Sequence, residues 1–142
     1  MGVGMEPLQW NPSLAVGQGE IDGQHRELFE RAGHFFAVRG APDKVPQISA
    51  AFMYLDSYVR FHFAQEEKLM LRIGYPELVE HQGEHRDYIR RLDSVKSQFE
   101  SEGDSAAVAM ALDGLLRLWL VDHIGQADKR VGDFAARAPG AR

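Results

Sequence analysis

Hydrophobic side chains recur at alternating steps of three and four residues along most of the chain. Turn-forming residues interrupt this pattern at Gly40–Asp43, Gly74–Pro76 and Ser101–Ser105, and they leave four segments of helical length. In each segment the recurring positions form the inward-facing stripe of one helix. The stripes are, in chain order, Ile21, His25, Leu28, Ala32 and Phe35; Ile48, Phe52, Leu55, Val59, His62, Glu66 and Leu69; Leu78, His81, His85, Tyr88, Leu92, Val95 and Phe99; and Leu112, Leu116, Trp119 and His123. No segment alternates in steps of two, so the pattern predicts an all-α protein.

The short connections between these segments determine the expected topology. Because short loops make sequential helices antiparallel, the sequence predicts an up-down-up-down four-helix bundle with an extended N-terminal arm. A chain of 142 residues has the length of one domain, and we expect a single unit over residues 1–142. It would consist of an arm over residues 1–20 with Trp10 as its anchor, the bundle over residues 21–134 and a tail over residues 135–142. Asp22 is expected to cap the first helix.

The composition limits the chemistry and the partners. Cysteine is absent, which excludes disulfides, thiolate nucleophiles and iron–sulfur clusters, so a metal site would have to use nitrogen and oxygen ligands. The net charge of -5, without a basic stripe, argues against nucleic acid as a partner. The N-terminus lacks a secretory pattern and the longest apolar run, Ala106–Leu112, is too short for a membrane span. We therefore expect a cytoplasmic protein without membrane insertion.

Polar residues interrupt the apolar stripes at several positions. Five of the six histidines lie on the stripes together with Glu66, whereas His34 falls on the opposite face of its helix and is expected in solvent. A single core histidine is more often a hydrogen-bonded structural group than a ligand. Six such groups in one core would each cost about 1–3 kcal/mol if they lacked a partner. A metal would satisfy all of them at once.

The spacing of these residues supports a metal site. His62 and Glu66 are four residues apart, as are His81 and His85, so each pair projects from adjacent turns of one helix face. Six or seven ligands exceed what one tetrahedral zinc would take, whereas two metals that share carboxylates would use them all. Imidazole with carboxylate and no thiolate suits iron, copper, nickel or zinc.

Asp128 is the best candidate for a second carboxylate ligand. It follows His123 by five residues, which in a regular α-helix turns its side chain about 140° away from that of His123. The sequence therefore predicts a π-type turn near Gly125, or a helix end there, that realigns the two side chains. The charged residues beside the stripes are expected to form a solvated face. They are Glu67, Lys68, Glu84, Arg86 and Asp87.

Taken together, these motifs resemble the hemerythrin family, and within it the single-domain bacterial members. The resemblance rests on IDGQH (21–25), HFAQEE (62–67), HQGEH (81–85) and WLVDHIGQAD (119–128), and it includes Trp10 and GYP (74–76). It covers the chain from residue 10 to about residue 134. The resemblance implies a non-haem centre of two iron ions (Fe2+/Fe3+), joined by an oxo or hydroxo bridge, that binds dioxygen reversibly.

Matching residue by residue, the resemblance also implies individual roles. His81, His85 and His123 would hold one iron, His25 and His62 would hold the other, and Glu66 and Asp128 would bridge the two. The iron with two histidines is left with an open position for dioxygen. The pocket over that position would be lined by Leu28, Phe63, Trp119, Leu120 and Ile124.

The expected function is oxygen storage or delivery without catalysis, with an oxygen-consuming enzyme as a possible recipient and the oligomeric state left open. Di-iron oxidases of the ferritin type carry Glu-x-x-His motifs, which this sequence lacks. Imidazoles donate less negative charge than carboxylates and should stabilise high-valent iron less. The alternatives are a di-iron oxidase or reductase acting on ferrous iron, nitric oxide or peroxide, an oxygen or redox sensor, and a bundle with incidental histidines.

Overall fold

The computed structural model describes residues 9–38 and 44–137, which form helices and no strand. A 3-10 turn at Pro12–Leu14 precedes three long helices, which are α1 (Gly19–Val38), α2 (Lys44–Ile73) and α3 (Leu78–Glu102). The fourth, α4, spans residues 106–137 as five consecutive segments. These are α-helical Ala106–Asp113, π-helical Gly114–Trp119, α-helical Leu120–His123, π-helical Ile124–Asp128 and α-helical Lys129–Arg137. Since α1 packs on α2, α2 on α3 and α3 on α4, the predicted four-helix bundle is confirmed.

Glycine and serine set the connections between the later helices. Gly74 ends α2 with φ 68°, and the N–H of the following Tyr75 donates to the carbonyl of Met70 at 2.9 Å. Gly103 ends α3 with φ 72°. Glycine suits both positions because a Cβ disfavours positive φ. Ser105 then starts α4, where its hydroxyl accepts the N–H of Val108 at 3.1 Å.

The buried side chains form two apolar clusters with a polar layer between them. The main apolar cluster includes Leu28 on α1, Val59 on α2, Tyr88 on α3 and Leu120 on α4. The small apolar cluster consists of Val16, Ile21, Leu69, Met70, Tyr75 and Val131. On every helix the predicted ligands lie between residues of the two clusters. The fold therefore surrounds the candidate site with apolar packing on both sides.

The N-terminal arm packs against the bundle near the end of α4. Leu14 and Val16 of the arm are buried, and Trp10 packs against the main apolar cluster with the Arg26 guanidinium 4.7 Å from its ring centre. The expectation that Asp22 caps α1 is wrong. Asp22 lies inside the first turn of α1, is buried, and accepts the backbone N–H of Val16 at 2.8 Å, so it fixes the arm.

Some expectations lie outside the described residues. These are the first eight residues of the arm, the turn at residues 40–43 and the last part of the tail, 138–142. Helix α4 continues three residues beyond the expected end of the bundle at residue 134, to Arg137. His34 is exposed, as predicted. Within the described ranges, none of the helices combines the length and the apolar character needed to cross a membrane.

Candidate metal centre

Seven buried side chains from all four helices converge in the polar layer. They form two overlapping sets, one of five residues and one of four. Within each set, the ligand atoms all lie within 4.8 Å of one another. The larger set contains His81, His85 and His123, and the smaller set contains His25 and His62. Glu66 and Asp128 belong to both sets. The structure thus brings together all seven residues that the sequence suggested as ligands.

The two carboxylates face both sets of histidines. The Oε1 atom of Glu66 lies 2.8 Å from the Nε2 atom of His81 and 2.9 Å from that of His85. Its Oε2 atom faces the other set, at 3.8 Å from the Nε2 atoms of both His25 and His62.

The two oxygen atoms of Asp128 likewise face different sets of histidines. Its Oδ1 atom lies 3.0 Å from the Nε2 atoms of His81 and His123. Its Oδ2 atom lies 2.9 Å from the Nε2 atom of His25. Each carboxylate therefore offers one oxygen to the three-histidine side and the other to the two-histidine side, which is the arrangement that a bridging ligand requires.

A π-helical turn places Asp128 in this cluster. The segment Ile124–Asp128 is π-helical, with Gly125 inside it. A spacing of five residues points two side chains in the same direction in a π-helix but not in an α-helix. This confirms the turn predicted near Gly125. A second π-helical segment, Gly114–Trp119, precedes it. The spacing of the candidate ligands did not predict this second segment.

The pKa values show that the cluster holds charges of both signs. Burial would raise the pKa of Glu66, but hydrogen bonds with His81 and His85 hold it below its usual value. Burial also opposes ionisation of Asp128, but the positive charge of the nearby His123 holds that pKa well below its usual value. Burial lowers the pKa of His81 and of His123, yet the two carboxylates outweigh it and raise these pKa values to about 9 and about 10. Ionised carboxylates at this depth need positive charge beside them.

The nitrogen and oxygen atoms of the cluster are better placed to bind metal ions than to form hydrogen bonds with one another. Several buried atoms lie close to an opposite partner but lack a hydrogen bond of suitable geometry. They are Nε2 of His25, Nε2 of His123, Oε2 of Glu66 and both carboxylate oxygens of Asp128. Unpaired lone pairs that converge from imidazoles and carboxylates, without a thiolate, match the preferences of first-row metals such as iron and zinc. A bound cation would satisfy these atoms and displace the protons.

Three polar side chains outside the cluster orient its imidazoles. Gln24 Oε1 accepts from His62 Nδ1 at 2.7 Å, Glu67 Oε2 from His85 Nδ1 at 2.8 Å, and Glu84 Oε1 from His123 Nδ1 at 2.8 Å. A ring that donates through Nδ1 keeps the lone pair of Nε2 free for a metal. His62 suits this role because burial lowers its pKa to about 4, which keeps its ring neutral.

The expectation that Glu67 and Glu84 belong to a solvated face is therefore wrong. Both side chains are partly exposed, but each holds a ligand histidine of a neighbouring helix. All three orienting residues directly precede or follow a ligand along the chain. One step along a helix turns a side chain by about 100°, from the core toward the boundary with the next helix. Adjacency to a ligand was the signal that could have identified them.

The predicted pocket residues lie on one side of the cluster. Leu28, Phe63, Leu120 and Ile124 are buried in the main apolar cluster, and the half-buried Trp119 packs against it. Phe63 stacks on the His85 ring, with ring centres 3.8 Å apart and planes 3° from parallel. Trp119 stacks on the His123 ring, with ring centres 4.7 Å apart. These stacked rings shield the histidines from water on that side.

Removal of the carboxylate of Glu84 is expected to weaken metal binding. The variant Glu84→Ala leaves His123 without its acceptor, so the ring loses its fixed orientation. We expect about 10- to 100-fold lower affinity for Fe2+, measured by competition with a chelator. Glu80→Ala, at an exposed position one turn earlier on α3, is the matched control. Equal affinities of the two variants would contradict an orienting role.

Known proteins resemble this chain both in sequence and in structure. The profile of one family, described as the hemerythrin HHE cation binding domain, matches residues 16–135. The bacteriohemerythrin of Pseudomonas aeruginosa strain PAO1 is 32% identical, over 87% of this chain and 78% of its own. That of Clostridium acetobutylicum is 28% identical, over 87% and 98% respectively. The myohemerythrin of Theromyzon tessulatum is 28% identical, over 87% and 89%. A crystal structure of a mutant protein matches with a TM-score of 0.79 at 23% identity, over 91% of this chain and 97% of that one, which supports the fold.

Proposed function

This chain belongs to the hemerythrin family, and from that membership we propose that it binds dioxygen reversibly at a centre of two iron ions. Family membership supports a function of the non-haem iron, oxygen-binding type. The proposal adds the number of ions, the ligands and the reversibility. His81, His85 and His123 would hold one iron, His25 and His62 the other, and the carboxylates of Glu66 and Asp128 would bridge them.

The unequal division of the histidines is the observation that carries this proposal. Three histidines converge on one side of the shared carboxylates and only two on the other. An ion held by His25, His62 and the two carboxylates would therefore have fewer protein ligands than its neighbour and would keep a position free for a small molecule. Metal sites that bind a small molecule keep such a position, whereas purely structural sites are closed. The chemistry that iron supplies there is the reversible transfer of electrons to dioxygen.

The protein's own residues would favour release over consumption of dioxygen. The proposed pocket beside the centre is lined by Leu28, Phe63, Trp119, Leu120 and Ile124. Apolar side chains at these positions exclude water and protons from the site. An oxidase or reductase would instead need a proton donor here, because reduction of dioxygen, nitric oxide or peroxide consumes protons. The polar side chain that faces this region from α3, Tyr88, is buried, and burial raises its pKa, so the phenol keeps its proton near neutral pH and is a poor acid.

Reversible binding is expected to appear directly in absorption spectra. We would load the purified protein with iron and record spectra without oxygen, under oxygen, and after its removal, together with an iron count. The proposal predicts two irons per chain and a visible charge-transfer band that appears with oxygen and disappears without it. An irreversible change would favour an oxidase, a reductase or a sensor. An iron count near zero would contradict the di-iron assignment.

A cellular role follows from the same proposal. Reversible binding without further chemistry suits storage of oxygen, or its delivery to an oxygen-consuming enzyme. We expect this role in the cytoplasm. The experiment above tests the binding on which both versions of the role depend.

A further inference from the structure

Tyr88 is a fully buried phenol whose hydroxyl lacks a hydrogen-bond partner within the described residues. The side chain is 0% exposed and lies in the main apolar cluster. An unpaired buried hydroxyl is unfavourable because it has lost its hydrogen bonds to water, whereas phenylalanine would fill nearly the same volume without this cost. Such groups are rare in folded proteins, and each calls for an explanation, such as a role toward a bound ligand, ion or water.

Helix geometry places Tyr88 in the layer that borders the metal centre. It follows His85 by three residues on α3, and Leu28 follows His25 by three residues on α1. These two helices run in the same direction, so both side chains lie one turn to the same side of the centre. Helices α2 and α4 run in the opposite direction. On these two helices, the residues of this layer therefore lie three positions before the ligands.

Those residues are Val59, before His62, and Leu120, before His123. Leu28, Val59 and Leu120 are each no more than 1% exposed and are apolar. Two of these three, Leu28 and Leu120, belong to the proposed dioxygen pocket. Among the four side chains of this layer, the hydroxyl of Tyr88 is therefore the one polar group.

Aromatic contacts fix the ring of Tyr88 relative to the ligands. Its ring centre lies 4.4 Å from that of Trp119 and 5.8 Å from that of Phe63, which it meets edge-on. Trp119 and Phe63 are the two rings that stack on His123 and His85. The hydroxyl therefore belongs to a rigid assembly, and rigid placement reduces the entropic cost of binding a small molecule.

We propose that the hydroxyl of Tyr88 is the hydrogen-bond donor of the dioxygen pocket and slows the release of dioxygen. This inference rests on the proposed function. The phenol donates to dioxygen when the pocket is filled and is left unpaired when it is empty. Tyr88 thus acts as a specificity-determining residue, because it favours a small molecule that can accept a hydrogen bond over an apolar one of similar size.

The test compares Tyr88→Phe with Tyr54→Phe in the iron-loaded protein. Tyr54 is 49% exposed, and the Arg31 guanidinium lies over its ring, a contact that phenylalanine would keep. We expect dioxygen to dissociate about tenfold faster from Tyr88→Phe than from the wild type in stopped-flow experiments, as expected for one hydrogen bond of about 1.4 kcal/mol. The rate for Tyr54→Phe should match the wild type.

A second measurement separates this role from a structural one. The urea midpoint of the deoxygenated, iron-loaded protein should be no lower in Tyr88→Phe than in the wild type, because an unpaired hydroxyl stabilises nothing. A lower midpoint would show that the hydroxyl is already paired inside the protein and would overturn the inference. An unchanged dissociation rate would also overturn it. If the wild type itself fails to bind oxygen reversibly, the proposed function fails and this inference fails with it.

Discussion

Substitution of Glu66 by Gln is expected to reduce the metal bound per chain from two ions to at most one. The two oxygens of Glu66 face different sets of histidines, with Oε1 2.8 Å from His81 Nε2 and Oε2 3.8 Å from His62 Nε2. Glutamine keeps one oxygen and replaces the other with an NH2 group, which donates hydrogen bonds and offers no lone pair to a metal. The variant can therefore serve one side of the centre but cannot bridge both. Elemental analysis of protein dialysed against a weak chelator measures the result.

Glu100→Gln is the control for this substitution. Glu100 lies on the exposed face of α3, so the same chemical change there should leave the metal content unaltered. Circular dichroism of both variants would verify the helical fold, which the nearly isosteric change should preserve. Two tightly held metals in Glu66→Gln would show that Glu66 is not a bridging ligand and would require a different assignment of the carboxylates.

The largest expected loss of folding stability comes from Gly132→Ala. A Cβ atom at Gly132 would lie 1.9 Å from the carbonyl oxygen of Val16 and 2.8 Å from its carbonyl carbon. Both are backbone atoms, so the arm would have to move away from α4. Overpacking of this kind costs about 1–3 kcal/mol. The displacement would also weaken the bond between the N–H of Val16 and Asp22. Thermal unfolding of the iron-loaded protein measures the loss.

Gly114→Ala provides the matched comparison. Gly114 also lies in α4, its φ of -62° is helical, and a Cβ there would meet no atom within 4 Å. Alanine is more favourable than glycine in a helix by about 1 kcal/mol, so this variant should gain stability. The same substitution should therefore have opposite signs at two positions of one helix. Equal stability of the two variants would show that the arm does not pack on Gly132 in solution.

The periodic pattern of the sequence was sufficient to predict the bundle. Apolar side chains spaced as in Ile48, Phe52, Leu55 and Val59 can all be buried together if the segment forms a helix with that face toward the core. The same reasoning showed that the polar residues on the stripes must face one another. The spacing of His123 and Asp128 even predicted the π-helical turn at Ile124–Asp128, because only a local change of helix pitch brings both to the centre.

Side-chain partners across helices were harder to predict. Glu67 and Glu84 occupy positions at the edge of a stripe, where a one-dimensional pattern cannot distinguish a solvated carboxylate from one that holds a histidine of the next helix. Asp22 had the position of a helix cap, but the arm turns back so that its carboxylate reaches Val16. In each case the decisive contact depends on the rotation of one element relative to another.

The sequence by itself determined the four helices, their buried faces and the set of seven candidate ligands, because helix periodicity is local and each residue carries its share of the signal. Only the tertiary structure decided how the oxygens of Glu66 and Asp128 divide between the two sets of histidines. It also decided which groups orient the imidazoles, that the arm packs against Gly132, and that the hydroxyl of Tyr88 is left unpaired. These features depend on distances of a few ångströms between residues remote in sequence. Such distances are set by the packing of whole helices, on which the periodicity of any one helix carries no information.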